Sequence, residues 1–229
     1  MKAMILAAGR GQRMRPLTDH TPKPLLPVAG QPLIAWHIQR LANADIKHIV
    51  INHAWLGEQI VQTLASGQPW GVNIEYSAES PALETAGGIA RALRLLGDEP
   101  FLVINGDIWC DWPLQRAKPI SADLKTNPAG LAHLVLVDNP THNPEGDFCL
   151  KSNDKISAEG DSRLTFSGIG IYHPALFRDL DPDQPAALAP LLRQAMGTGS
   201  VTGEHHTGYW LDVGTPERLA TLSAHLTST

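Results

Sequence analysis

Cysteine is almost missing from this chain. Only Cys110 and Cys149 occur in 229 residues, which excludes a disulfide framework and a paired-cysteine metal motif and leaves both thiols as buried or idle groups. Basic runs are missing as well. With 18 lysines and arginines against 23 acidic residues, and a net charge of -5, the composition argues against nucleic acid or an anionic membrane as the main partner, although a local anion site needs only a few cations. No apolar stretch is long enough to span a bilayer, and the charged loop behind the first strand comes too early for a signal peptide. The chain also lacks internal repeats and a low-complexity tail. These absences predict a soluble, cytoplasmic protein that works on small molecules, with no nucleic acid and no membrane, and they leave its oligomeric state open.

What the chain does have is alternation. With 43% hydrophobic residues, its length suits one α/β core. Short apolar runs at 3–6, 49–51, 72–76 and 101–104 alternate with helical patterns at 33–41, 56–64 and 88–96. Such β-α-β repetition predicts a mostly parallel sheet covered by helices, with ligands beyond the carboxyl ends of the strands. The second half reads as a strand at 131–137, a Pro/Asn/Gly/Asp loop at 138–147 and strand-like pieces at 148–151 and 164–172. A helix at 188–196, a strand near Val201 and a closing helix at 216–226 complete it. One domain is predicted over 1–229, with a nucleotide-binding part at 1–110 and a sugar-binding part at 111–229.

The most informative stretch runs from Ile5 to Leu25: an apolar strand, then Gly9-Arg10-Gly11-Gln12-Arg13, then Lys23 between Pro22 and Pro24. Glycine lets the backbone bend sharply and bring its N–H groups close to an anion. Gly9 is the predicted turn residue, Arg13 and Arg15 line one side of a polyphosphate, and Lys23 reaches the other. Two familiar nucleotide motifs do not fit. A dinucleotide fingerprint requires a third glycine where Met14 stands, and an acidic residue after the second strand, where Asn52-His53 occurs. A P-loop requires Gly-Lys-Ser or Gly-Lys-Thr directly after the glycines, and none follows.

Leu6-Ala-Ala-Gly-Arg-Gly-Gln-Arg-Met-Arg-Pro-Leu-Thr, Pro22-Lys-Pro-Leu, Glu84-Thr-Ala-Gly-Gly, Asn105-Gly-Asp and Trp210-Leu-Asp-Val-Gly-Thr-Pro together resemble the sugar-nucleotidyltransferase family. Enzymes of that family couple a nucleoside triphosphate to a sugar 1-phosphate and release pyrophosphate. The resemblance implies a single Rossmann-like, GT-A-like α/β domain whose mixed, mostly parallel sheet is flanked by helices. It is greatest to members that join UTP to N-acetylmuramic acid α-1-phosphate, giving UDP-N-acetylmuramic acid in peptidoglycan recycling.

Taken alone, Asp107 and Asp212 are better explained as turn or capping residues. The resemblance instead implies that they are ligands of Mg²⁺, a cation suited to a few protein oxygens plus substrate phosphates. It implies catalytic roles for Arg13, which would neutralise the leaving pyrophosphate, and for Lys23, which would orient the phosphates. Nucleotide binding is implied for Leu6, Ala8, Gly9, Gly11, Gln12, Arg13, Lys23, Glu79 and Gly87, and sugar binding for Asn105, Gly146, Asp147 and Glu159. Relatives often carry glycine where Glu84 stands. A lactyl carboxylate on the acceptor would call for a cation, and Arg163 is available. The attacking phosphate oxygen is anionic at neutral pH, so none of the ten histidines needs a catalytic role. Glu79 leaves the base open: a carboxylate can accept the single N–H of uracil or two donors from guanine. Guanylyl or cytidylyl transfer to mannose 1-phosphate or phosphocholine, and a regulatory protein that binds sugar nucleotides without turnover, are the alternatives.

Overall fold

In strand β1 (Lys2–Leu6), Ala3, Met4 and Ile5 are fully buried on both faces, the mark of a central parallel strand. The computed structural model describes residues 1–228. After β1 come a short hairpin, β2 (Pro27–Val28) and β3 (Gln31–Pro32), then α1 (Leu33–Asn43), β4 (His48–His53), α2 (Gly57–Leu64), β5 (Asn73–Ala78), α3 (Glu84–Leu96) and β6 (Phe101–Asn105). The second half adds β7 (Ile108–Cys110), α4 (Ala117–Thr126), β8 (Ala132–Val137), β9 (Phe148–Leu150), β10 (Ile156–Ser157) and β11 (Arg163–Tyr172). It closes with α5 (Leu188–Gly197), β12 (Val201–His206), β13 (Trp210–Asp212) and α6 (Pro216–Thr227).

One sheet carries both halves. β5, β4, β1 and β6 lie side by side and parallel; β11 then runs antiparallel between β6 and β8, and β12 pairs parallel with β8. β9 and β10 extend from the start of β11. The alternation of side chains across a strand divides the core between the two faces. Ala3, Ile5, Ile49, Ile51, Leu102 and Ile104 pack with α1 residues Ile34, Ile38 and Leu41 on one face. Met4, Val50, Phe101 and Val103 pack with Ile89 of α3 and Leu188 and Leu192 of α5 on the other. This is the mixed, mostly parallel α/β sheet anticipated from the alternating pattern.

The chain leaves β1 toward β4 and β5, then returns to the opposite side of β1 as β6. The strand order therefore reverses between β1 and β6, and a crevice opens beyond their carboxyl ends. Gly106 keeps that point tight. Its N–H donates to the Leu6 carbonyl at 2.9 Å, and a Cβ there would lie 2.5 Å from the same oxygen.

Several elements depart from the sequence expectation. α3 starts at Glu84, not near Gly88, because Gly87 and Gly88 serve close packing inside the helix where their propensity argues for a break. α4 was not anticipated; Pro119 reads as a breaker but falls in the first turn, where a missing N–H costs nothing. The β7–β13 ribbon also gave no signal, since each strand has three residues and the pairing spans about half the chain.

His37 of α1 is fully buried, and neither ring nitrogen makes a hydrogen bond of ordinary geometry with another described residue. Burial, reinforced by Arg40, pushes its pKa from 6.5 down to about 3, against weaker opposition from Asp107 and the Ile108 backbone. Between those values the unfolded chain binds a proton that the folded chain refuses, so stability falls as pH falls through that window. The slope has an upper bound of about 1.4 kcal/mol per pH unit from this residue. His37→Leu is expected to lose less thermal stability than the parent between about pH 7.5 and pH 5, as read by circular dichroism melts; parallel losses would remove His37 as a source of acid sensitivity.

Candidate active site

The crevice beyond β1 and β6 is a cleft of about 420 Å³. Its walls include Leu6, Ala7, Ala8, Gly9, Gly11, Gln12, Arg13, Lys23, Glu79, Asn105, Gly106, Asp107 and Gly214. Most residues expected to bind nucleotide therefore meet in one place. The turn itself is at Gly11, where φ is +66°, and not at Gly9; a Cβ on Gly9 would meet nothing within 4 Å. At Gly11 a Cβ would crowd Thr18 at 3.1 Å and Lys23 at 3.2 Å, while the Gly11 carbonyl accepts bonds from Thr18 Oγ1 and the Met14 N–H. Glycine is needed here both for conformation and for close approach.

Two cations line the cleft where three were anticipated. Arg13 packs against Gly214, whose missing Cβ would lie 3.0 Å from the guanidinium carbon. Arg15 turns outward to Asp19 at 2.8 Å, and Arg10 reaches the same carboxylate at 2.9 Å. The Arg10 hydrogen bond, helped by Arg15 and opposed by slight desolvation, keeps the Asp19 carboxyl below its ordinary pKa. Lys23 is buried, and its Nζ pairs with Asp107 Oδ2 at 2.8 Å; the Asp107 side chain is 43% exposed. The pair joins the loop after β1 to the residue that follows β6.

Glu79 has a different surrounding from that of a free base-reading carboxylate. It is 5% exposed; Asn52 Nδ2 donates to Oε1 at 2.7 Å and the Leu83 N–H donates to Oε2 at 2.8 Å. Asn52 Oδ1 in turn accepts the Ala7 N–H at 2.9 Å. One buried network thus ties the start of the glycine loop, the end of β4 and the entry to α3. Gly88 makes room for it: a Cβ there would lie 2.5 Å from Glu79 Oε1 and 2.9 Å from Asn52 Nδ2. Gly87 faces away from the cleft, where a Cβ would meet Gln184 O at 2.6 Å and Ala186 N at 3.0 Å. Its observed work is packing against the segment before α5.

A second cavity of about 490 Å³ shares Glu84, Thr85 and Asn105 with the first. Asp147, Phe148 and Phe166 form one wall, and Ala187, Leu188, Ala189, Leu192 and Arg193 form another. Glu84 stands at the junction with φ of +59°, the left-handed conformation a glycine would adopt freely. Asp147 accepts the Phe166 N–H at 2.8 Å and the Asn143 amide at 3.3 Å. The other residues anticipated around the sugar lie outside both cavities. Gly146 occupies a tight turn with φ of +63°, against Asn139 and Arg163, and Glu159 is exposed in a loop beside Ser157.

Asp212 lies on β13 opposite Ile108, and the next N–H, from Val213, donates to the Asp107 carbonyl at 2.8 Å. Its carboxylate accepts from Arg218 Nη1 at 2.7 Å and lies 3.3 Å from His142 Nε2. The backbones of Asp107 and Asp212 are therefore brought together, while their side chains are engaged by different cations. Trp109 and Trp112, which follow Asp107, are buried in the core. Asn52 and Arg193 were not singled out from sequence, because an isolated polar residue carries no periodic or motif signal, whereas Thr85 and Gly214 fall inside quoted motifs that assigned them no role.

A switch-point crevice with a glycine loop, a buried lysine and an acidic strand end is the equipment of an enzyme that handles phosphorylated nucleotides. The chain belongs to the nucleotidyl transferase family, whose sequence model matches residues 2–229. It is 56% identical to N-acetylmuramate alpha-1-phosphate uridylyltransferase of Neisseria meningitidis over 96% of this chain and 95% of that one. A protein of the same description from Caulobacter vibrioides is 33% identical, over 98% of this chain and 96% of the relative. Among solved structures, a Bacillus anthracis protein described as a glucose-1-phosphate thymidylyltransferase superposes with a TM-score of 0.86 at 26% identity, covering 100% of this chain and 96% of that one. Enzymes of this family generally use a divalent metal ion.

Asn52→Ala would leave the Ala7 N–H and a Glu79 carboxylate oxygen buried without partners. The expected loss is about 2–4 kcal/mol of unfolding free energy in a urea titration, with weaker nucleotide binding; a loss below about 0.5 kcal/mol would mean that solvent replaces the network at no cost.

Proposed function

We propose that this chain transfers UMP from UTP to the α-1-phosphate of N-acetylmuramic acid, releasing pyrophosphate, and that it does so in the cytoplasm. The observation that carries this reading is the pair of cavities joined at Glu84, Thr85 and Asn105: one is floored by Lys23 and Asp107 beneath a glycine loop, the other is large enough for a sugar. The activity for which the Neisseria relative is named supports the choice of substrates. In this reading residues 1–110 supply the nucleotide side, while 111–229 build the acceptor side with Glu84, Thr85 and Asn105 lent by the first part.

The chemistry is an in-line displacement. An acceptor phosphate oxygen forms a bond to the α-phosphorus of UTP as the bond to the pyrophosphate oxygen breaks. The attacking oxygen already carries the electron pair and the negative charge, so no general base is needed. Arg13 lines the cleft without an ion pair to another described residue and neutralises charge on the leaving group, while Lys23 orients the phosphates. The oxygen donors fit a hard cation: Asp107 Oδ1 has no side-chain partner among the described residues, and the Val213–Asp107 backbone bond brings the Asp212 backbone alongside. Bound there, Mg²⁺ would supply charge neutralisation at the α-phosphate.

The test is pyrophosphate release from each ribonucleoside triphosphate with Mg²⁺, against N-acetylmuramate, N-acetylglucosamine, glucose and mannose 1-phosphates and phosphocholine. Release with UTP and N-acetylmuramate 1-phosphate is the expected result; a different productive pair would overturn the substrates, and silence throughout would overturn the enzymatic reading. Asp107→Asn is expected to lower kcat by about 10³-fold or more while the fold survives; parent-like turnover would remove the metal role from Asp107.

A further inference from the structure

Two cations, Arg13 and Lys23, line the nucleotide cleft, where triphosphate and acceptor phosphate would consume them. Arg193 is a third, set in the second cavity, and no phosphate chemistry in the cleft accounts for it. It lies on α5 beside Leu192, whose burial fixes that side of the helix against the sheet. Its side chain is exposed and makes no ion pair or hydrogen bond with another described residue. Two anions share the cavity. Asp147 is engaged by the Phe166 N–H and the Asn143 amide, and Glu84 stands at the junction with the nucleotide cleft. Phe148, Phe166 and Leu188 supply apolar walls against which a sugar ring can pack.

We propose that Arg193 is the specificity residue that selects an acceptor sugar carrying a carboxylate in addition to its 1-phosphate. The inference rests on the sugar 1-phosphate reading of the second cavity. A neutral hexose 1-phosphate offers Arg193 nothing, whereas a lactyl carboxylate matches the two parallel N–H donors of its guanidinium fork. Arg163, the cation suggested by sequence, points its Nε toward the Gly160 carbonyl at 3.4 Å in an exposed turn and lines neither cavity. Sequence cannot separate the two arginines; the packing of α5 against the acceptor side does.

The experiment compares N-acetylmuramate 1-phosphate with N-acetylglucosamine 1-phosphate, which lacks the lactyl group, using the parent, Arg193→Ala, Arg193→Lys and Arg163→Ala. For Arg193→Ala the KM for the muramate substrate is expected to rise about 10- to 100-fold, the loss of one charge-assisted contact. Arg193→Lys should recover part of the loss, Arg163→Ala should track the parent, and the KM for UTP should stay put. An unchanged muramate KM, or an equal loss with both sugars, would overturn the assignment. Saturation-transfer NMR with the two 1-phosphates, without nucleotide, separates this inference from the turnover reading. If neither sugar is turned over yet the parent binds the muramate compound better and Arg193→Ala does not, the carboxylate assignment stands while the proposed function fails. Equal binding of both sugars by the parent would overturn the assignment itself.

Discussion

The Asn52 side chain is the joint on which the nucleotide cleft depends. Its amide oxygen holds the Ala7 N–H at the start of the glycine loop, and its amide nitrogen holds Glu79. Glu79 passes the constraint to Leu83 and so to the start of α3. A buried network with every partner satisfied rigidifies what it joins, because any rearrangement strands a donor or acceptor away from water. Three segments distant in sequence are thereby set at one spacing before any ligand arrives. Gly88 belongs to the same arrangement, since any side chain there would occupy the space the network fills.

Electrostatics organises the floor of the cleft in a similar way. A chain with net charge -5 must concentrate a few cations to hold polyphosphate. Lys23 is buried, which is tolerable because Asp107 neutralises it. Asp107 remains open to solvent on its other side, and Asp212 is drawn alongside by the β7–β13 ribbon. The charge balance is therefore local: Asp107 is held by Lys23 and Asp212 by Arg218.

The sequence was legible where chemistry and local geometry coincide. Alternating apolar runs predicted the β-α-β half, because side-chain burial on both faces of a parallel sheet demands continuous apolar strands. The loop motifs located Leu6, Gly11, Arg13, Lys23, Asn105 and Asp107 before their convergence could be seen. Legibility failed where neighbours came from far away. Gly9 and Gly11 look alike as residues, and only the crowding by Thr18 and Lys23 distinguishes the one that must turn. Gly87 and Gly88 are adjacent, yet one meets the segment before α5 and the other meets Glu79.

Residue identity and spacing alone determined that this chain would form a mostly parallel α/β sheet with a glycine-bearing, arginine-rich loop at its first strand end, because both are consequences of local backbone and side-chain chemistry. Tertiary structure decided the rest. It turned Arg15 outward to Asp19, engaged Glu79 in a structural network, let Glu84 take a left-handed backbone at the junction of two cavities, and put Arg193 in place of Arg163 beside the second one. Those outcomes depend on which side chains meet across long separations, and that is set by the close packing of helices on the sheet, a property no single segment contains.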